Sequence, residues 1–298
     1  MKILVFGSLN VDRRYIVDHF VQPGETLSSI SVGTFSGGKG LNQAIACKKA
    51  GSDVYMAGKI GTDGAFLLAE LKDADVVTKH VFIDEKEMSG HAIIQVDKNG
   101  QNCIILYGGT NRTITQEEVD EVLSDFEAGD IILLQNEINN MDYIIDKACE
   151  KGMVVALNPS PMDDELLKCD LSKVSYFIMN EIEAGAISGT EDVDKAFEIL
   201  HEKYPQSKIV ITLGSDGSKF FDGEKIYAHG IYSVKAVDTT AAGDTFTGYF
   251  LNGLLEGLAP MEIMSMAAKA SAIAVSQPGA ADSIPTKDVV MTTELALK

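Results

Sequence analysis

Residues 131–157, IILLQNEINNMDYIIDKACEKGMVVAL, decide the architecture. The stretch opens with a short, wholly apolar run, Ile131–Leu134. It continues through an amphipathic segment, Asp142–Lys151, that Gly152 stops, and closes with a second apolar run, Met153–Leu157. Short β-branched runs that are apolar at every position suit strands buried on both faces. A helix between two such strands is the unit from which parallel sheets are built.

The same rhythm recurs on either side. Further strand candidates are Ile3–Phe6, Val54–Ala57, Tyr176–Met179 and Ile209–Leu213. Helical candidates carry end signals: Gly40–Ala50 runs into Gly51, and Thr115 with Glu118 forms a capping box for a helix to about Phe126. From Gly243 onward the chain reads as helical and rich in small residues, through Met261–Val275. The expected fold is α/β, a mostly parallel sheet covered by helices on both faces. Two regions break the rhythm. Residues from about 13 to 35 alternate polar and apolar around a turn at Pro23–Gly24, and His91–Val96 and Cys103–Tyr107 flank a turn at Asp97–Gly100. They read as a small antiparallel β lid, formed by about 13–35 and 91–107, on a single domain spanning 1–298.

Composition narrows the function. With 25 Lys and Arg against 44 Asp and Glu, the net charge is −19. An acidic surface opposes nucleic acid or an anionic membrane, both of which need basic patches. No apolar run approaches the ~20 residues of a membrane span. Strand character from Ile3 leaves no room for a signal peptide, so the cytosol is expected. Cys47, Cys103, Cys149 and Cys169 lack metal-ligand spacing and read as reduced and buried. The five His show no metal spacing, and neither G-x-S-x-G nor a G-x-G-x-x-G after the first strand is present.

Five motifs carry candidate chemistry. In Val237–Phe246 (VDTTAAGDTF), Ala241, Ala242 and Gly243 precede Asp244 at a helix start. Small residues there let backbone N–H groups surround an anion, and the helix dipole favours it. Asp244 would then stand where in-line phosphoryl transfer needs a base, although a plain Asp cap fits equally. In Ser36–Ala44 (SGGKGLNQA), consecutive glycines precede a helix, and Lys39 and Asn42 offer donors to hydroxyls. Gly33 through Lys39 mimics a P-loop, but Gly40 replaces the Ser or Thr that would ligate Mg²⁺, and the preceding segment reads as lid. Asn180–Glu183 is a capping pair at the carboxyl end of a strand, where its carboxylate could also organise Mg²⁺ and its waters. Thr212–Gly217 (TLGSDG) follows a strand as a nucleotide loop or an ordinary turn. Asn10 and Asp12 after the first strand, and Glu137 after Ile131–Leu134, reach the same edge of the sheet.

Taken together and in this order, these segments resemble the ribokinase family of carbohydrate kinases (the phosphofructokinase B type), from Gly7 to about Pro285. Gly37–Gly40 with Asn42 is similar to one family signature, and Asp238-Thr239 with Ala241–Asp244 to the other; Asn158–Pro161 and Asn180–Glu183 match further features. The resemblance implies a ribokinase-like three-layer sandwich with a β lid, often dimeric through that lid. It implies that Asn10, Asp12, Gly38, Lys39, Asn42 and Glu137 contact a sugar, with Asp244 as base and the 241–244 amides as anion hole. Asn180, Thr212, Gly214, Ser215, Gly217 and Gly243 would hold ATP, and Glu183 would position Mg²⁺. A monovalent-cation loop for K⁺ would map to Asp238, Thr240, Ala274, Gln277, Gly279 and Ser283.

The expected activity is ATP-dependent phosphorylation of a sugar hydroxyl, with ribose the leading acceptor. A nucleoside, deoxy-sugar, fructose or sugar phosphate is the alternative within the fold. A non-catalytic sugar- or nucleotide-binding regulator is the alternative of another class. Arg13 and Arg14 depart from the apolar residues usual after Asp12, Tyr107 is bulky for its place in the lid, and Ala268 replaces a polar residue near the adenine. An Arg at the sugar site would suit a phosphorylated acceptor. Strand alternation puts Arg14, not Arg13, on the face of Asp12.

Overall fold

The computed structural model describes residues 1–298. The strands, in chain order, are β1 (Ile3–Phe6), β2 (Asn10–Ile16), β3 (Ser31–Gly37), β4 (Val54–Gly61), β5 (Val77–Asp84), β6 (Gly90–Val96) and β7 (Asn102–Tyr107). They continue as β8 (Ile131–Gln135), β9 (Val154–Asn158), β10 (Tyr176–Asn180), β11 (Lys208–Thr212), β12 (Ser218–Phe221) and β13 (Ile226–His229). The helices are α1 (Lys39–Lys49), α2 (Ala65–Asp73), α3 (Gln116–Leu123), α4 (Met141–Glu150), α5 (Glu181–Ser188), α6 (Val193–Lys203), α7 (Ala242–Leu255), α8 (Pro260–Val275) and α9 (Lys287–Thr292).

Nine strands form one sheet in the order β13-β12-β11-β10-β9-β8-β1-β4-β5. From β11 to β5 every pair is parallel; the β12–β13 hairpin adds an antiparallel edge. Alternation along the central strands divides their side chains between two cores. Ile3 and Val5 join residues of α1, α7 and α8 on one face; Leu4 and Phe6 join residues of α3, α4 and α6 on the other. The clusters hold 35 and 31 buried residues, so neither face of the sheet is left to water. Each Val, Leu, Ile, Phe or Met among them contributes roughly 1.5–3 kcal/mol of burial, which is why these strands read as continuous apolar runs.

Two close approaches fix the helices that carry the motifs. A Cβ on Gly40, at the start of α1, would lie 2.6 Å from the backbone of Gly7 and Ser8 at the end of β1. A Cβ on Gly248 in α7 would lie 2.5 Å from the Cβ of Ala46 in α1. α1 and α7 therefore meet backbone to backbone, closer than any side chain would allow.

The lid is a four-stranded sheet, β3-β2-β6-β7. Its outer pairs are antiparallel as expected, while β2 and β6 meet parallel at its centre. Strand structure begins at Asn10 and at Gly90, ahead of the expected starts, and residues 17–30 between β2 and β3 are irregular around the turn at Gly24 (φ 83°). Gly33 and Gly37 lie on β3, so the apparent P-loop is a lid strand.

The cysteines depart from expectation. Cys47 is buried, but Cys103, on the outer lid strand, and Cys149, on the solvent side of α4, are exposed, and Cys169 is half-buried. All four are free. No helix is long and apolar enough to cross a membrane.

Candidate active site

The parallel strands end at one edge, and the loops after β1, β8, β9, β10 and β11 meet the N-termini of α1 and α7 there, where open α/β sheets bind ligands. Two adjoining clefts open along this edge. The first, about 350 Å³, is lined by Lys39, Asn158, Asn180, Glu183 and the turn from Ala241 to Asp244, among others. The second, about 480 Å³, is the more apolar, with Tyr232, Phe246, Ala268 and Val275 in its wall. Thr212, Gly214, Thr239, Ala242 and Gly243 border both.

The turn before α7 has the anion-binding form its small residues suggest. Ala241 takes up a left-handed conformation (φ 58°), unusual for a residue with a side chain. The N–H groups of Gly243 and Asp244 have no partner within the protein, and a Cβ on Gly243 would meet only open space. Two donors at the positive end of a 14-residue helix thus face the first cleft. Asp244 is 7% exposed. Its Oδ2 accepts from Asn42 Nδ2 at 3.2 Å and its Oδ1 from Gln43 Nε2 at 2.9 Å. Asn42 Oδ1, at the other end of that amide, is buried without a partner.

Beside it lies the cluster from β1, β2, α1 and the loop after β8. Asn10 Oδ1 accepts from Asn111 Nδ2 at 2.7 Å. Glu137 accepts from the backbone N–H of Lys39 at 3.0 Å and from the hydroxyl of Ser8. Burial, and then the negative charge of Glu137, push the Asp12 carboxyl from 3.8 up to about 7. For Lys39, burial favours the neutral amine, but attraction to Asp244, Glu137 and Glu183 outweighs it, and the ammonium is held more firmly than usual. Gly38 has φ 92°, and a Cβ there would approach Ser8 O to 2.9 Å, so this turn demands glycine.

Farther along the first cleft, Asn180 and Glu183 form the capping box their spacing suggests, with bonds of 2.8 and 3.0 Å. The cap occupies one carboxylate oxygen of Glu183 and leaves the group, 7% exposed, in the wall of the first cleft. Ser215 and Gly217 line only the second cleft. Gly217 (φ 94°) also packs against the carbonyl of His229, so its smallness has a structural cause. No group of three or more His, Cys, Asp or Glu side chains is arranged to hold a metal. A hard cation that keeps its waters and takes phosphate oxygens needs no such cage, and one carboxylate, as Glu183 offers, suits it.

Among the expected cation-loop residues, the structure joins Asp238, Thr240 and Gly279. Thr240 donates its N–H and hydroxyl to Asp238 Oδ1 at 2.9 and 2.6 Å, and Gly279 donates to Oδ2 at 3.2 Å. Burial opposes it, but these bonds, with the charge of Arg14, hold the Asp238 carboxyl below its ordinary range. Ala274 accepts from Gln277 N at 3.1 Å, whereas Ser283 bonds to Ala280 and touches none of the others by hydrogen bond.

Sequence reasoning left several site residues without a role. Ser8 and Gln43 stand inside motifs it singled out. Gln135, fully buried, is the lone polar residue ending the apolar run of β8, a signal that could have been read. Asn111 follows β7 in a loop with no pattern to mark it.

Known proteins resemble this chain over nearly its whole length. The family described as pfkB family carbohydrate kinase matches residues 1–287. The chain is 34% identical to the ribokinase of Haemophilus influenzae, over 96% of this chain and 95% of that one. It is 35% identical to the ribokinase of Staphylococcus aureus, over 97% and 98%. The structure of Arabidopsis thaliana ribokinase complexed with ribose and ATP superimposes with a TM-score of 0.85 at 30% identity, covering 97% of each chain. Fold, sequence and the kind of protein matched all agree that this chain belongs to the pfkB family of carbohydrate kinases, phosphotransferases whose acceptor is a sugar hydroxyl.

Proposed function

We propose that the protein transfers the γ-phosphoryl group of ATP to a hydroxyl of ribose, giving ribose 5-phosphate, with Asp244 as the base. The observation that carries this reading is the meeting of two clefts at the start of α7, where unpartnered N–H groups and a buried carboxylate stand within one helical turn. ATP lies with its base in the apolar second cleft and its γ-phosphate at the N–H groups of Gly243 and Asp244. Asn180, Thr212, Gly214, Ser215 and Gly217 border the nucleotide. The sugar sits among Asn10, Asp12, Gly38, Lys39, Asn42 and Glu137. When bound, Mg²⁺ neutralises phosphate charge, and Glu183 orients its waters. Asp238, Thr240, Ala274, Gln277, Gly279 and Ser283 would hold K⁺, whose charge would stiffen the turn that carries the N–H donors.

Most of the acceleration in such a site comes from positioning and charge stabilisation. Asp244 takes the hydroxyl proton as the new P–O bond forms, and the lid keeps water from competing. The non-catalytic alternative is opposed by the intact carboxylate and donors at α7. The lid presents Val32, Phe35, Ile104, Ile105 and Leu106 largely exposed, which supports a homodimer that covers it with a second copy.

The orientation of Arg14 favours a second acceptor, a sugar phosphate. Arg13 is exposed on the far face of β2; Arg14 is half-buried on the face of Asp12, makes no hydrogen bond or ion pair, and its charge is felt at Asp238. ADP release with ATP, Mg²⁺ and K⁺ across ribose, deoxyribose, fructose, fructose phosphates and nucleosides tests the acceptor. Asp244→Asn should retain ATP binding by calorimetry and lose about 10²–10⁴-fold in kcat. Near-normal turnover would remove Asp244 from its role.

A further inference from the structure

A chain of side-chain amides, two of them fully buried, ends on one oxygen of Asp244. Asn158 Nδ2 lies 2.9 Å from the carbonyl oxygen of Ile178. A carbonyl only accepts, so Asn158 turns its NH₂ group there and its Oδ1 toward Gln43. Gln43 must then present its own NH₂ group: Nε2 is 3.0 Å from Asn158 Oδ1 and 2.9 Å from Asp244 Oδ1, one hydrogen to each. Gln43 Oε1 accepts from Gln135 Nε2 at 2.6 Å. Gln43 and Gln135 are both 0% exposed, so water cannot substitute for a lost partner. A direction set by one backbone carbonyl is thus passed through two side-chain amides to a carboxylate. A reversed Gln43 amide would turn oxygen against oxygen at both Asn158 and Asp244.

The two carboxylate oxygens of Asp244 are therefore unequal. Oδ1 is held by Gln43, while Oδ2 has the longer, 3.2 Å bond from Asn42, whose own Oδ1 is buried and unpartnered. We infer that Gln43 is a positioning residue, backed by Gln135 and Asn158, that anchors Asp244 through Oδ1 and so assigns proton transfer to Oδ2. The inference rests on the kinase reading above. In the step, the acceptor O–H bond breaks and its proton passes to Oδ2. The acceptor oxygen forms the new bond to the γ-phosphorus, and the bond from that phosphorus to the bridging oxygen breaks, releasing ADP. The unpartnered Asn42 Oδ1 accepts from a neighbouring hydroxyl of the acceptor.

The test compares the wild type with Gln43→Met, Gln43→Glu and Gln135→Met by steady-state kinetics across pH. Gln43→Met keeps the shape and removes the donors; kcat should fall at least ~10-fold while KM for ATP stays within about twofold. Gln43→Glu repels Asp244 when ionised but donates an O–H when protonated. Its activity relative to wild type should climb as the pH falls from about 8 to about 6, where that of Gln43→Met stays flat. A purely structural role would move both variants in parallel. Gln135→Met, which reaches Asp244 only through Gln43, should lower kcat less, again at constant KM, and decides the question if Gln43→Met does not fold. A kcat within about twofold of wild type in folded Gln43→Met, or in Gln135→Met when the former is unfolded, overturns the positioning role alone, as do parallel pH profiles. A wild-type enzyme that turns over no acceptor overturns the kinase reading and this inference with it.

Discussion

Without a bound ligand the protein should become less stable as the pH rises, and the Asp12 carboxyl is the cause. Burial and Glu137 lift its carboxyl from 3.8 to about 7. At 1.36 kcal/mol per unit, ionising it in the fold costs about 4 kcal/mol relative to the unfolded chain, and water reaching this half-buried group brings that to about 2–4 kcal/mol. The sign follows from proton counting. Between 3.8 and about 7 the folded state holds the proton and the unfolded state does not, so stability falls as pH rises through this window and levels off above it. About 2 kcal/mol of the loss should lie between about pH 5 and about pH 8. Asp12→Asn removes the titrating group. Urea unfolding of both proteins at the two pH values should show the gap between them widening by that amount in favour of the variant. Glu137→Gln should recover a part of it. If the acceptor's hydroxyls bind the ionised carboxylate, its binding at about pH 6 releases close to one proton, measurable by calorimetry in two buffers. Stability curves for wild type and Asp12→Asn that run parallel within about 0.5 kcal/mol would refute the reasoning.

Two further outcomes follow from the lid. If Arg14 grips a phosphorylated acceptor, Arg14→Ala should raise KM for the sugar phosphate about 10–100-fold, the range for a lost charge-assisted bond, while KM for ribose stays within about twofold; an equal rise for both, read by ADP release, would leave Arg14 without a role in choosing the acceptor. If the proposed homodimer forms through the lid, placing Glu at Ile104 and Ile105 together, one on each face of β7, should leave a monomer in sedimentation velocity where the wild type sediments as a dimer; a variant that still sediments as a dimer, or a wild type that is already monomeric, would remove the lid contact.

Much of the frame was legible because the physics that makes it is local. Strands buried on both faces must be apolar throughout, so β1, β8, β10 and β11 announced themselves within a residue or two. The capping boxes at Thr115–Glu118 and Asn180–Glu183 were readable from spacing and are both formed. The β12–β13 hairpin escaped notice although Asp222-Gly223 marks its turn, because Ser218–Phe221 and Ile226–His229 are too short to show a period. The parallel contact between β2 and β6 has no sequence signal, since pairing direction is a property of the whole chain path. In the site, glycines and acids stood out because their chemistry is conspicuous. The amides of Gln43, Gln135 and Asn158 did not, because what they do depends on partners brought from distant strands. The lifted Asp12 carboxyl has the same origin: Glu137 reaches it only in the folded state.

The missing methyl groups at Gly40 and Gly248 have a consequence for how the enzyme can change. They lock α1, with Asn42 and Gln43, against β1 and α7, with Asp244, at distances that no side chain could hold apart. That frame has no spare volume, so altering it would disturb the proposed phosphoryl-transfer geometry for every acceptor at once. The lid is the opposite, thin and bordered by exposed residues such as Arg13, Phe35 and Tyr107. On the proposed reading, substitutions there would change contacts with the acceptor while leaving Asp244 and the α1–α7 packing in place. New specificity in this protein therefore has an open route through the lid and a closed one through the helices beneath it.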